Sequence, residues 1–490
     1  MSYLGIDIGS SQVKAVAFDE KGNALASANF KYDYTIPRPG WMELDSDEVI
    51  RGAFSVIAEC AARVKEISPV RALACSSQGE AFTLLDAAGK ALNPAMISGD
   101  CRAVDVIADF TERFGKERIY HITGHTPSAM FSIAKLLWTK KFMPELWQKM
   151  RYCFCFEDLL AFRLTGQGSI GYPLAGRTML FDINEHTWSG ELLAELGMSE
   201  EQLAVPYPSG SAAGSLLPDV AVQLGLGTEV KFVTGGHDQI IGALGCGATE
   251  PGTAMYAAGS VECAVPLMKE KVLSKELCNA NLCTYDFAIP DRYASVAYSL
   301  TGSNLLEYFI TEIVRDEKRD FAALIGEMPE NPSDLLVIPY FTPSGTPYFD
   351  AKTPATVYGW RFGTSRGELL KGLLEGVAYE MRLNFEFLKK SGFAVDHLIA
   401  TGGGFRSREV VQLHADILNM SIAVCEEKEA GCRGAAMLAQ RALGDAPAIP
   451  PPEIVAMVEP RTDFVRIYEK KFQKWEIFSR EIRSLSSCLS

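Results

Sequence analysis

Basic residues are in deficit: 47 lysines and arginines stand against 61 aspartates and glutamates, a formal net charge of −14. A surface of that sign repels nucleic acid and anionic lipid, so neither is expected as a partner, and any polyanion must be held at a local site. No stretch of about 18 apolar residues occurs, which argues against a membrane-spanning helix. The opening Met1-Ser2-Tyr3-Leu4-Gly5-Ile6-Asp7 lacks the basic and apolar regions of a secretory signal. Twelve cysteines are scattered without a CxxC pair, the nearest spacing being Cys153-x-Cys155, and the six histidines are dispersed. That excludes a zinc ribbon and argues against a disulfide scaffold; reduced, buried thiols and a cytoplasmic location are the expectation. The pattern GxxxxGK[ST] is also missing, so a P-loop is excluded.

What is present is an ordinary globular balance, 48% hydrophobic and 22% charged over 490 residues, enough for two or three domains. Strand and helix signals alternate, which argues an α/β fold. One series of elements occurs twice. Apolar Tyr3–Ile8, the polar turn Gly9-Ser10-Ser11-Gln12 and apolar Val13–Phe18 read as a hairpin. Gly252–Ala257, Ala258-Gly259-Ser260 and Val261–Val265 repeat it, which places Ser10 and Ser260 at two tips. A helix capped at Asp45-Ser46 and running to about Lys65 has its counterpart over Ser365–Lys390, each with an apolar stripe at three- and four-residue spacing. Short strands then lead into Ser76-Ser77-Gln78-Gly79-Glu80 and Thr401-Gly402-Gly403-Gly404. Each half closes with strand, turn and small-residue helix: Val230–Thr234 with Gln239–Cys246, and Ile422–Cys425 with Gly431–Ala442. The expected architecture is two duplicated halves, residues 1–247 and 248–490, around a central cleft.

Four constellations carry chemistry. The hairpin Asp7-Ile8-Gly9-Ser10-Ser11-Gln12-Val13-Lys14 offers backbone amides, two hydroxyls and a lysine to phosphate oxygens, and Asp7 at a strand end suits a hydrated Mg2+. Gly235-Gly236-His237-Asp238-Gln239 lets the chain turn sharply after a strand and opens a helix with Asp238. That residue is either a helix cap or a general base for a substrate hydroxyl, and phosphoryl transfer needs little other covalent chemistry. His237 is expected to be structural. Gln78-Gly79-Glu80 and Asp100 sit on loops where a polyhydroxylated ligand could bind, or where they are simply solvated. The glycine run before Phe405-Arg406-Ser407 lets a nucleotide approach the backbone; G-x-G-x-x-G is not satisfied, so a dehydrogenase is disfavoured.

In this order the segments YLGIDIGSSQVKAVAFD (3–19), PGWMELD (39–45), FSIAKLLW (131–138), GGHDQIIGALG (235–245), TPYFD (346–350), LLEGVAYEMR (373–382) and ATGGGFRSREVVQLHADIL (400–418) resemble the FGGY family of carbohydrate kinases, within the actin–hexokinase–chaperone superfamily. The resemblance runs from Tyr3 to about Gly444. It implies two duplicated ribonuclease H-like (actin-like ATPase) domains, with the sugar and base in the first and the nucleotide in the second. It also implies ATP and Mg2+ as cofactors. Carried across residue by residue, Gly9, Ser10, Ser11 and Lys14 match the phosphate hairpin; Gly259 and Ser260 match the second. Gly302, Gly403, Gly404 and Ser407 fall on nucleotide contacts, Asp238 on the base, and Asp7 with Asp238 on the metal side. Gln78, Glu80, Asp100 and Gln239 fall on the substrate side. Departures bear on substrate: Gly79 stands where glycerol kinases carry arginine and Met130 where they carry tyrosine, and Gln78-Gly79-Glu80-Ala81 replaces the QMHG of xylulose kinases. Ile97-Ser98-Gly99 has lost the usual tryptophan ahead of Asp100 and Arg102, and Ser344-Gly345-Thr346-Pro347 lacks a Glu-Arg pair.

The expectation is therefore ATP-dependent phosphorylation of a hydroxyl on a small ketose, polyol or sugar acid, with a homodimer as one option for the assembly. The rivals are a non-catalytic sugar- or nucleotide-binding regulator on the same scaffold and an ATPase chaperone. The first has no need of the base, and the stretch after Gly444 leaves no room for the peptide-binding domain of the second. Residues Pro450–Ser490 are expected to be partly helical around Phe464–Ile482 and to dock on the second half.

Overall fold

Tyr3, Leu4, Ile6, Ile8, Val13, Ala15 and Ala17 are fully buried, because their strands lie in a sheet covered on both faces. In this computed structural model, which describes residues 1–315, 320–445 and 449–489, Ser2–Ile8 pairs antiparallel with Gln12–Asp19, and Gln12–Asp19 with Ala24–Lys31. On its other side Ser2–Ile8 runs parallel with Val70–Ser77, which runs parallel with Lys231–His237; Ala212–Ser215 closes the edge. The second sheet repeats this. Thr253–Ala258 pairs antiparallel with Glu262–Met268, itself antiparallel to Ala297–Ser299. Parallel neighbours His397–Thr401 and Ser421–Cys425 follow, with antiparallel Ile454–Val458 at the edge. The same strand order and directions occur twice, the ribonuclease H-like arrangement expected from the sequence.

The two long helices form where the stripes and caps place them. Asp45 accepts from the amides of Asp47 and Glu48 at the start of Ser46–Val64. Ser365 accepts from the Glu368 amide at the start of Arg366–Lys390. Each satisfies donors that the first helical turn leaves unpaired.

A separate buried cluster joins the halves. Ile240, Ile241 and Ala243 of helix Asp238–Gly245, and Cys432, Ala435 and Ala436 of helix Ala430–Ala442, pack between Tyr3, Val16 and Ala74 of the first sheet and Met255, Cys263 and Val265 of the second. Small residues are required because backbones touch. A Cβ at Gly434 would stand 2.0 Å from the Ile241 carbonyl oxygen, and one at Gly5 would stand 1.7 Å from that of Cys432.

Three local expectations are corrected. Gly235-Gly236 do not turn: the strand continues to His237, with a register shift between Val233 and Gly236, and Gly236 adopts φ +150°. Ser76 and Ser77 are extended strand rather than loop. The tail helix is longer than expected, Thr462–Leu489, and docks through Tyr468, Phe472 and Trp475. Strand Ile454–Val458 before it went unread because most of its side chains face outward, leaving no buried alternation to detect. Among the described residues no helix is long and apolar enough to cross a membrane, and all 12 cysteines are free, ten of them buried.

Candidate active site

The first hairpin is held open from behind. The carbonyl of Gly9 accepts from Tyr32 Oη at 2.6 Å and from Gln78 Nε2 at 2.8 Å, and the Tyr32 amide donates to Ser11 O at 3.1 Å. The tip residues Ser10 and Ser11 stay exposed, with their hydroxyls free to face phosphate. Gln78, expected on the substrate side, is thus 6% exposed and spends its amide on the hairpin. Lys14, opposite Asp7 in the register, reaches across the halves to Glu429, its Nζ 2.8 and 3.0 Å from the two carboxylate oxygens.

Asp7 ends the central strand with its carboxyl buried. Ser76 Oγ donates to Oδ1 at 2.7 Å, and burial raises its pKa against the opposing pull of Ser76 and Lys14. Asp238 opens the helix whose N-cap is His237, and no side chain caps that helix; the capping role weighed from the sequence is therefore not the one it plays. Its pKa is pushed up to about 7, first by burial and then by the charges of Asp7 and Glu80. About a third of its side chain, 32%, remains open to the cleft, so water screens part of that effect. Burial, and after it the Asp238 charge, raises the thiol of Cys263 on the second hairpin. The carboxyl at 238 is therefore within electrostatic reach of both hairpins, the arrangement that a proton acceptor beside bound phosphates requires.

No set of three or more His, Cys, Asp or Glu converges on a metal position among the described residues. The carboxylates Asp7 and Asp238, the first of which helps raise the second after burial, nonetheless fit a cation that keeps most of its waters and takes one or two protein carboxylates, as Mg2+ does.

At the sugar end, Glu80 sits at φ +63° and is 2% exposed. Arg177 Nε donates to its Oε1 at 2.5 Å, Arg177 Nη2 makes a second contact to the same oxygen, and Ser98 Oγ donates to Oε2 at 2.5 Å. The guanidinium lies 4.8 Å from the Phe131 ring centroid and contacts Met130 Sδ at 3.5 Å. A side chain at 79 would run into His237, whose Nε2 is 3.0 Å from a Cβ built there, and into Arg177 Nε at 3.4 Å. The cation beside Glu80 comes from the end of helix Tyr172–Arg177. Gln239 has a buried Oε1 with no protein partner. Asp100 does not open onto the site. Its oxygens take the amides of Met42 and Arg102 and the Arg102 guanidinium at 2.6–3.0 Å, while Arg102 lies 3.8 Å over the Trp41 ring. Ion pairing buries it.

On the nucleotide side, Ser260, Gly403, Gly404 and Ser407 line one cavity of about 720 Å³ with Ser303, Asn304, Leu306, Phe321 and Ile325. Gly302 stands behind it: a Cβ there would lie 2.9 Å from Gly259 O, and Ser303 donates to that carbonyl through both its amide (2.8 Å) and its hydroxyl (2.7 Å). Ser407 Oγ accepts from the Val410 amide and so caps helix Arg408–Leu418. An apolar slot bounded by a serine hairpin tip and a glycine turn suits a nucleoside with its phosphates.

Several residues were missed from the sequence. Arg177 follows Pro173-Leu174-Ala175-Gly176, and a cation after so apolar a run could have been flagged as needing a buried carboxylate. Glu157, buried, accepts from the Gly235 amide at 2.8 Å and the Gly171 amide at 3.3 Å and so fixes the strand leading to the base. No local signal marks Tyr32, Ser76, Ser98 or Tyr285.

Paired hairpins across a cleft, with one carboxyl at its floor and a nucleotide-sized cavity beside it, define a two-domain phosphotransferase of the actin-like class. Models of the FGGY family of carbohydrate kinases match residues 2–245 with the N-terminal domain and 254–443 with the C-terminal domain. The chain belongs to that family, and its reaction is ATP-dependent phosphorylation of a sugar or polyol hydroxyl. It is 27% identical to the xylulose kinase of Escherichia coli strain K12 over 441 residues, covering 89% of each chain. It is 29% identical to the glycerol kinase of Symbiobacterium thermophilum over 459 residues, covering 90% of this chain and 89% of that one. Among solved structures, a protein titled xyloylose kinase from Brucella ovis superposes with a TM-score of 0.93 at 28% identity, over 99% of this chain and all of that one.

Proposed function

We propose that Asp238 accepts the proton of the substrate hydroxyl as the oxygen attacks the terminal phosphorus of ATP. The observation that carries this is the carboxyl of Asp238, about a third open to the cleft, its pKa lifted to about 7 by burial and then by Asp7 of the first hairpin and Glu80, and near enough to the second hairpin for its charge to add to the effect of burial on Cys263. A base poised near neutrality is partly free to accept a proton and binds it firmly once transferred. Ser10, Ser11 and Ser260, with the amides around Gly9 and Gly259, hold phosphate oxygens. Ser303 secures the second tip, and Gly403-Gly404 admit the nucleoside. Asp7 and Asp238 would hold Mg2+, which would supply positive charge to the phosphates when bound. The domain boundary falls at 247/248, between the two closing elements of the first half and the hairpin of the second. Cytoplasmic residence fits the uniformly free thiols.

The substrate is a ketose, longer polyol or sugar acid in preference to glycerol. Gly79 and Met130 remove the glycerol-kinase pair, and His237 and Arg177 fill the space that an arginine at 79 would need. Glu80, held by Arg177 and Ser98, keeps lone pairs for a sugar hydroxyl, and the unpartnered Oε1 of Gln239 accepts another.

A coupled assay of ADP formation across pentuloses, hexuloses, tetritols, pentitols and aldonic acids tests the reading. Asp238→Asn should lower turnover by roughly 10²–10⁴-fold on whichever substrate is best, with nucleotide affinity held within about threefold. Full activity in that variant removes Asp238 from the base role. Nucleotide and sugar binding with no ADP from any substrate establishes the regulator instead.

A further inference from the structure

His237 was expected to be structural, but its ring is placed between two groups that belong to different halves of the molecule. Nδ1 lies 3.0 Å from the hydroxyl of Tyr285, and Nε2 lies 3.3 Å from Oδ1 of Asp238. His237 is 5% exposed and Tyr285 1%. The ring fills the space beside Gly79, where an added Cβ would lie 2.9 Å from Cδ2 and 3.0 Å from Nε2.

Donor and acceptor roles follow from the chemistry of the partners. An ionised carboxylate only accepts, so Nε2 carries the proton; Nδ1 is then bare and accepts from the Tyr285 hydroxyl. The 3.3 Å approach to Asp238 is a polar contact without hydrogen-bond alignment, of the kind that closes into a hydrogen bond when substrate tightens a catalytic site.

Tyr285 is itself anchored across the cleft. The Thr284 amide donates to Gly124 O at 2.8 Å, Tyr120 Oη donates to Leu282 O at 3.0 Å, and His186 Nε2 stands 2.9 Å from Asp286 Oδ1. Tyr120, Gly124 and His186 lie in the first half and the others in the second. The segment carrying Tyr285 is thus pinned to the domain that carries the base.

We infer that Tyr285 and His237 are positioning residues: the Tyr285–His237 hydrogen bond holds the ring so that its Nε2, 3.3 Å from Asp238 Oδ1, aims the Asp238 carboxylate, and the second half thereby sets the aim of the base borne by the first. The inference rests on the phosphotransfer reading above. It assigns the sequence Gly235-Gly236-His237-Asp238 a use for its histidine that packing alone does not give. A space-filling ring would need neither nitrogen placed, whereas both are.

The test is steady-state kinetics of the full chain and its variants on the best sugar of the panel. His237→Leu and Tyr285→Phe should each lower kcat by roughly tenfold to a hundredfold, the scale of a misaimed catalytic group, and leave KM for ATP within about twofold. His237→Gln, whose amide nitrogen can stand where Nε2 stands, should stay within about threefold of the wild type. The double variant His237→Leu/Tyr285→Phe should be no slower than His237→Leu alone, because the tyrosine acts only through the ring. Should His237→Leu melt at ambient temperature, Tyr285→Phe and His237→Gln, which change an oxygen and a ring shape, decide the matter. Unchanged kcat in Tyr285→Phe, a His237→Gln as slow as His237→Leu, or effects that multiply in the double variant overturn the inference. A wild type that forms no ADP with any sugar overturns the phosphotransfer reading and this inference together; an active wild type with indifferent variants overturns this inference alone.

Discussion

Arg177 and Glu80 carry opposite charges in a place with almost no water, 7% and 2% exposed, and replacing Arg177 with methionine isolates their contribution. Methionine keeps most of the aliphatic stem against Phe131 and Met130 but removes the guanidinium, leaving Glu80 with the Ser98 hydroxyl as its remaining side-chain donor. Breaking a buried pair by deleting one partner costs about 3–5 kcal/mol, because an uncompensated charge stays behind. For a cooperative unit of the size of the first half, each kcal/mol moves the melting temperature by roughly 2–4 °C, so Arg177→Met should melt roughly 6–20 °C low. Glu80→Gln should fall by a similar amount, since it strands the arginine. The double variant removes both charges while its glutamine still accepts from Ser98, and should recover more than half of the loss, a coupling of at least about 2 kcal/mol. Scanning calorimetry of the four proteins at pH 7.5, repeated at high salt, measures this. Salt should change little, since the pair is shielded from counterions. The reasoning is refuted if Arg177→Met melts within roughly 4 °C of the wild type, or if the double variant is no better than the worse single one.

Burial pushes Glu157 up to about 8 against the pull of the Gly235 and Gly171 amides. Its folded pKa exceeds the unfolded one, so its share of stability is full below about pH 4 and is lost as pH rises toward 8; Glu157→Gln should flatten the melting temperature across that window, and an unchanged slope would count against the assignment. Gly434→Ala puts a Cβ 2.0 Å from the Ile241 carbonyl and should destabilise by roughly 2–4 kcal/mol while spreading the two helices at the junction, readable as altered small-angle scattering as well as lowered melting. Glu429→Gln releases Lys14 from its cross-cleft partner; KM for ATP should fall by roughly two- to fivefold, whereas Lys14→Met should raise it by at least as much. If both variants leave that KM alone, Lys14 is a strut between the halves and not a phosphate ligand.

Much of the fold was legible because its signals are local. The Asp45 and Ser365 caps, the apolar stripes at 49–60 and 369–385, and the two Gly/Ser hairpins each follow from the stereochemistry of a few adjacent residues. Their shared order exposed the duplication. The Ser260 tip and the Gly403-Gly404 run, read from small residues at strand ends where a ligand can approach the backbone, line one cavity together with Ser407, which the family resemblance had added. Asp100 and Gln78 show the limit. Both are polar residues after strands, the right kind for a sugar contact, yet Arg102 consumes one and the Gly9 carbonyl takes the amide of the other. Gly235-Gly236 read as a turn, but the neighbouring Val70–Ser77 strand and Glu157 hold the pair extended.

The chain by itself therefore determined its elements, their repetition and its acidic net charge, and it left the acid at 238 as either a helix cap or a proton acceptor, a choice that the family resemblance tilted toward the second. Only the tertiary structure decided that Arg177 would answer Glu80, that Glu157 would brace the base strand, and that His237 would stand between Tyr285 and Asp238. Those pairings join residues separated by 48 to 97 positions. Their energies depend on burial and mutual orientation, which arise when two sheets close on a shared helix pair and which no local pattern of side chains encodes.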